Sequence, residues 1–106
     1  MKFELDTAAG YTSPLTYSGN TFMVTVTHSN TAGEGCKLYI NGTYIGGNTS
    51  AQGAIPANPV FNFYRRPASP GYNYYGNAAN IMLYNRVLTP TEITQNYNAF
   101  KTRFGI

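Results

Sequence analysis

The sequence predicts an all-β, antiparallel sandwich that carries a single α-helix at its C-terminus, at about residues 90–104. Three observations predict it. Short runs rich in Val, Ile, Thr, Tyr and Phe recur between clusters of Gly, Asn, Ser and Pro, the pattern of short strands joined by turns. Asn41-Gly42 lies between two such runs and signals a hairpin, because both residues tolerate positive φ. The last quarter of the chain carries a full set of helix start and stop signals.

The elements follow in chain order. Residues 3–7 form a first expected strand, and Leu15-Thr16-Tyr17 a fainter one. Residues 22–28 alternate with the two-residue period of a half-buried strand. Phe22, Val24 and Val26 fall on one face of it, and Met23, Thr25 and Thr27 on the other. Lys37-Leu38-Tyr39-Ile40 and Thr43-Tyr44-Ile45 are the two arms of the hairpin. Its two-residue loop sets the expected register: Leu38 opposite Ile45, Tyr39 opposite Tyr44, Ile40 opposite Thr43. Residues 46–59 read as loop, 60–64 as a strand, 65–77 as a long loop with Pro67, Pro70 and Gly71, and 80–84 as a last strand.

The helix is specified from both ends. The Thr89 hydroxyl can accept from the unpaired N–H groups of the first turn, and Pro90 loses no hydrogen bond at the first helical position. Glu92 completes a capping box with Thr89, while Leu88 and Ile93 suit a hydrophobic staple. Ile93, Tyr97, Phe100 and Phe104 recur at helical spacing and make one apolar face. Lys101 and Arg103 suit the negative end of the helix dipole, and Gly105 suits the C′ position.

A chain of 106 residues is expected to be one domain, 1–106. Only 10% of its residues are charged, and the net charge of +3 includes no basic cluster beyond Arg65-Arg66, so duplex nucleic acid is not an expected partner. Cys36 is the single cysteine, which excludes an intrachain disulfide framework and any CxxC metal spacing. Residues 1–6 show no apolar signal-peptide core, and no apolar run reaches membrane-span length.

Three pieces in order carry a resemblance to a known family. They are residues 22–27, then Lys37-Leu38-Tyr39-Ile40-Asn41-Gly42 with Gly46 closing the hairpin, then residues 81–93, which end the strand and open the helix, with Asn96-Tyr97 beyond. Together the chain resembles the laminin-G-like, concanavalin A-like lectin/glucanase family over about residues 20–105. The resemblance implies a jelly-roll-like, two-sheet antiparallel sandwich. Such domains usually run longer, so the chain reads as a truncated version or one that another chain completes. Tyr97-Asn98-Ala99 and Arg103-Phe104-Gly105 look most like the closing segments in tailed-phage structural proteins. That likeness implies a virion location.

Glucanases of this fold place three carboxylates on one strand in an E-x-D-x-x-E pattern, and two of them, about 5 Å apart, do the chemistry. Here Glu4 and Asp6 are followed by Ala9, so the third is missing and no catalytic residues are expected. His28 reads as a strand-end histidine and Cys36 as a structural thiol. No cofactor is expected. Calcium, which some relatives bind, takes about six to eight oxygens, and with Asp6 the single aspartate a site would rest on backbone and Asn oxygens.

Tyr64, Arg65 and Arg66, with Tyr72, Asn73, Tyr74 and Tyr75, form the candidate ligand- or partner-binding surface. Tyr and Arg favour protein hot spots, tyrosine rings also stack on sugars, and stacking with Arg also holds single-stranded nucleic acid. The plain alternative is that these tyrosines cover the end of the sandwich. The expected role is a non-enzymatic virion structural protein of a tailed phage, a capsid decoration or cement module. It would bind virion proteins or itself, and no membrane. The alternative role is a lectin-like module that attaches to a surface glycan.

Overall fold

The computed structural model describes residues 2–4, 10–12, 19–54 and 76–106. Two antiparallel sheets and one helix make up the architecture among them. β1 (Lys2–Glu4) pairs with β2 (Gly10–Thr12), and β3 (Val24–His28), β4 (Cys36–Ile40) and β5 (Thr43–Asn48) form the second sheet in that order. β2 lies close to both β4 and β5. α1 (Pro90–Phe104) closes the chain. This is the predicted antiparallel sandwich of the jelly-roll kind, in reduced form, with its C-terminal helix.

The hairpin forms where the Asn-Gly pair demands it. Asn41 has φ 48° and Gly42 φ 77°, both left-handed, and Ile40 faces Thr43 while Tyr39 faces Tyr44. Beyond that the expected register fails. Leu38 pairs with Gly46 rather than Ile45, and a β-bulge between Leu38 and Tyr39 leaves Ile45 as the extra residue. The expected loop from residue 46 therefore begins later, because β5 continues through Gly46 and Gly47 to Asn48. A side chain at position 47 would run into the Cys36 carbonyl and sit 3.0 Å from the Lys37 Cα, so only glycine permits this close pairing.

β3 pairs with β4 from Val24 opposite Ile40 to His28 opposite Cys36. Its Thr side is the covered one. Thr27 is buried, whereas Val24 and Val26 stand 36% and 39% exposed. On β4 both faces are buried: Cys36, Leu38 and Ile40 on one, Tyr39 on the other. Burial pushes the Cys36 thiol above its ordinary pKa, which makes it an inert packing residue.

The helix matches its sequence signals closely. Thr89 is the N-cap, its hydroxyl accepting from the Glu92 N–H at 3.2 Å, and the Thr89 N–H donates to the Glu92 carboxylate at 2.8 Å. Gly105, at φ 67°, ends the helix, and its N–H and that of Ile106 both turn back to the Lys101 carbonyl. Leu88 and Ile93 form the staple and pack with Tyr39, so the helix start is pinned to the centre of the sheet. Tyr97 rests on the hairpin turn, with its Cβ 3.2 Å from where a Gly42 side chain would begin. Phe100 and Phe104 are only half-buried, so it is the first half of the helix that seals the sandwich.

One expected strand is corrected. Residues 80–84 form no strand, and Ile81, Met82, Leu83 and Tyr84 are exposed, Leu83 by 73%. A strand needs a neighbour to satisfy its ladder, and no described residue pairs with this segment. Residues 15–17 and 60–64 lie outside the described residues.

Candidate functional site

The face of the sheet that carries the helix holds a groove with both aromatic and charged walls. The register places Tyr39 and Tyr44 side by side, and their ring centroids lie 5.4 Å apart at 60°. Lys37 is two residues before Tyr39 and shares its face. Together with Pro90 they line an open depression of about 390 Å³. A smaller recess of about 160 Å³ adjoins it and brings in Thr27, Glu34 and residues 87–89. Tyr39 forms the floor, and burial, then Tyr44 and Glu34, raise its phenol pKa, so it stays neutral. Tyr44 is half exposed and offers a free ring face. The chemistry available is stacking on Tyr44, donation from the Lys37 ammonium and acceptance by the Glu34 carboxylate. That is binding chemistry.

A second surface is apolar. Val24 and Val26 of β3 continue the buried Leu38–Ile40 side of the sheet outwards, and residues 81–84 with Val87 form a further exposed run. The Tyr84 hydroxyl accepts from the Asn96 side chain at 3.1 Å and reaches the Met82 sulfur at 3.7 Å. The Tyr84 hydroxyl thus links Met82 to the helix.

The residues singled out in the sequence fare differently. Tyr64, Arg65, Arg66, Tyr72, Asn73, Tyr74 and Tyr75 lie outside the described residues, as does Asp6. His28 ends β3 as a half-buried strand residue. Glu92 is engaged by Arg86 and by the helix cap. Among the described residues no group of His, Cys, Asp or Glu is placed to hold a metal ion. No described helix is long and apolar enough to cross a membrane. The Tyr39–Tyr44–Lys37 groove was not singled out in the sequence. Its signal was there in the hairpin register, which sets two tyrosines opposite each other with a lysine two residues away.

The same architecture is found in known proteins. A crystal structure of an S-layer domain-containing protein from Clostridium thermocellum (its residues 221–444) is similar, with a TM-score of 0.56 and 21% identity. The match covers 83% of this chain and 43% of that one, so this chain spans less than half of that structure. At that identity the likeness is one of fold. No curated protein matches the chain in sequence. The family profile described as the concanavalin A-like lectin/glucanases superfamily matches residues 4–94. That match runs from the end of β1 through the second sheet to the start of the helix, and the chain belongs to the concanavalin A-like lectin/glucanases superfamily.

Proposed function

We propose that this domain is a non-enzymatic structural module of a tailed-phage virion, a capsid decoration or cement unit that docks on neighbouring proteins. Membership of the superfamily points to a carbohydrate-binding or a structural module. The observation that carries the structural reading is the row of large apolar side chains left open at residues 81–84, at Val87 and along β3. Exposed apolar side chains grouped in this way mark protein interaction surfaces. Repetition on a lattice turns many such modest contacts into firm attachment. The Tyr and Arg residues of the 64–75 segment are proposed to add anchors of the kind that dominate interfaces. Catalysis is left out because the glucanase carboxylate pattern ends at Ala9 and Glu92 serves the helix.

Immunogold labelling of intact particles with an antibody against this domain tests the role. Regular label over the head is the expected result. Particles without label would overturn the virion assignment.

The half-exposed Tyr44 ring beside Lys37 favours a second reading, a lectin-like module that binds a surface glycan. Under that reading Tyr44→Ala abolishes binding on a glycan array, and Tyr72, Tyr74 and Tyr75 replaced by Ala do the same if the long loop is the site. No sugar competes with particle attachment under the structural reading.

A further inference from the structure

We infer that Asn41 is a site of spontaneous covalent modification, its conversion to aspartyl and isoaspartyl through the Gly42 amide, and that the fold holds the reaction back by latching Asn41 to Met23.

The reactive pair is written in the sequence. Asn41 is the one asparagine that a glycine follows. Glycine leaves its amide nitrogen unhindered, and asparagine is among the chemically labile residues. The Gly42 N–H gives its proton to hydroxide, and the nitrogen forms a bond to the Asn41 Cγ. The Cγ–Nδ2 bond breaks, and Nδ2 leaves as ammonia with a proton taken from water. Water then opens the five-membered imide at one of its two carbonyls. One opening gives aspartyl, and the other gives isoaspartyl, whose backbone runs through Cβ and Cγ. No electrons change hands, and water is the only co-reactant.

The structure supplies the restraint. The turn is half-buried, so water reaches it. The attack requires the carboxamide to swing onto the Gly42 nitrogen. Instead the Asn41 Oδ1 accepts from the Met23 N–H at 2.8 Å, and the Asn41 N–H donates to the Met23 carbonyl at 2.9 Å. One residue thus holds both backbone groups of Met23, one step beyond the Val24–Ile40 pair that begins the β3–β4 ladder. The turn itself is fixed at φ 48° and 77°, and the Tyr97 Cβ of α1 lies 3.2 Å from where a Gly42 side chain would begin. Conversion therefore waits for the latch to open, and its rate is the open-chain rate scaled by the open population.

The two products differ in what they do to the hairpin. Aspartyl keeps the backbone length, and its carboxylate can accept the Met23 N–H as the amide oxygen does. Isoaspartyl adds one backbone carbon to a two-residue turn, which disturbs the pairing of Ile40 with Thr43 and of Tyr39 with Tyr44.

The test is peptide mapping by mass spectrometry of the intact chain, aged in mildly alkaline buffer with and without urea. In urea Asn41 is expected to convert before every other asparagine. Without urea its conversion is expected to be at least about tenfold slower, the effect of two hydrogen bonds on the open population. Met23→Pro deletes the N–H that the side chain accepts, and should speed Asn41 about tenfold in the folded chain while leaving Asn96 and Asn98 unchanged. The aged isoaspartyl fraction should melt below the wild type, and Asn41→Asp should melt with it. Another asparagine converting first in urea would overturn the site. Equal rates in the folded and unfolded wild type would overturn the latch, and that comparison needs no variant to fold. An isoaspartyl fraction as stable as the wild type would overturn the stated effect on the hairpin.

Discussion

The Arg86 guanidinium holds the Glu92 carboxylate at two points, its nitrogens donating to the two oxygens at 2.9 Å and 2.7 Å. The same carboxylate accepts the Thr89 N–H, so one acidic side chain ties the approaching chain to the helix start. Exposed ion pairs usually contribute little, but two-point geometry joined to a cap is the arrangement in which they count.

That arrangement predicts an acid-sensitive helix start. The Arg86 hydrogen bonds first, and then the Thr89 N–H, hold the Glu92 carboxyl at about 2, below its ordinary value of 4.5. A carboxyl depressed in the folded state stabilises the fold above its unfolded pKa and loses that contribution as pH falls through its folded one. The stability of the wild type and of Glu92→Gln should therefore differ by a constant amount above about pH 4.5 and converge towards about pH 2. Thermal midpoints read across that window check it, and parallel curves would show that the ion pair contributes nothing.

Thr89→Ala removes the hydroxyl that accepts the Glu92 N–H. The expected cost is about 1 kcal/mol in urea denaturation. Thr89→Ser should restore most of it.

Ile93 is fully buried against Tyr39 and Leu88, whereas Phe100 keeps solvent on one side. Ile93→Ala should cost about 2–5 kcal/mol. Phe100→Ala should cost less, although the residue it removes is larger. Chemical denaturation of both variants decides the order, and the reverse order would mean that the helix docks through its second half.

Gly35 and Gly33 make a matched pair. Both have positive φ, 51° and 87°, but a methyl at position 33 meets nothing within 4 Å. At position 35 it would strike the Asn48 carbonyl and lie 2.6 Å from the Ser50 carbonyl oxygen. Gly33→Ala should cost about 1–2 kcal/mol, the left-handed penalty alone. Gly35→Ala should cost clearly more and lower the expressed yield of folded protein, which a melting curve on each variant will show.

Local chemistry made much of the fold legible. The turn at Asn41-Gly42 and both ends of the helix follow from residues whose preferences are decided within a few positions, and each was read correctly. What the sequence left unsaid depends on neighbours far along the chain. The alternation in β3 assigns residues to faces but not the face that is covered, and Thr27 rather than Val26 is the buried one because the helix lies on the Thr side. Residues 80–84 read as a strand by composition, yet pairing is a property of two segments, and only one was in view. β2, Gly10–Thr12, is too short to show a period and was missed. The groove of Tyr39, Tyr44 and Lys37 emerges only once α1 supplies Pro90 as its rim.

The bulge at Ile45 gives the hairpin a spare residue. Cys36, Lys37 and Leu38 already face Asn48, Gly47 and Gly46, as they would if position 45 did not exist. The hairpin is thus written in two reading frames joined at one seam. Removing a residue at that seam would leave every cross-strand partner in place. The same deletion one step either side would also have to remove Tyr44 from beside Tyr39 or Gly46 from opposite Leu38. Length change in this sheet has a single permissive address, and homologues that differ by one residue in the second arm should differ there.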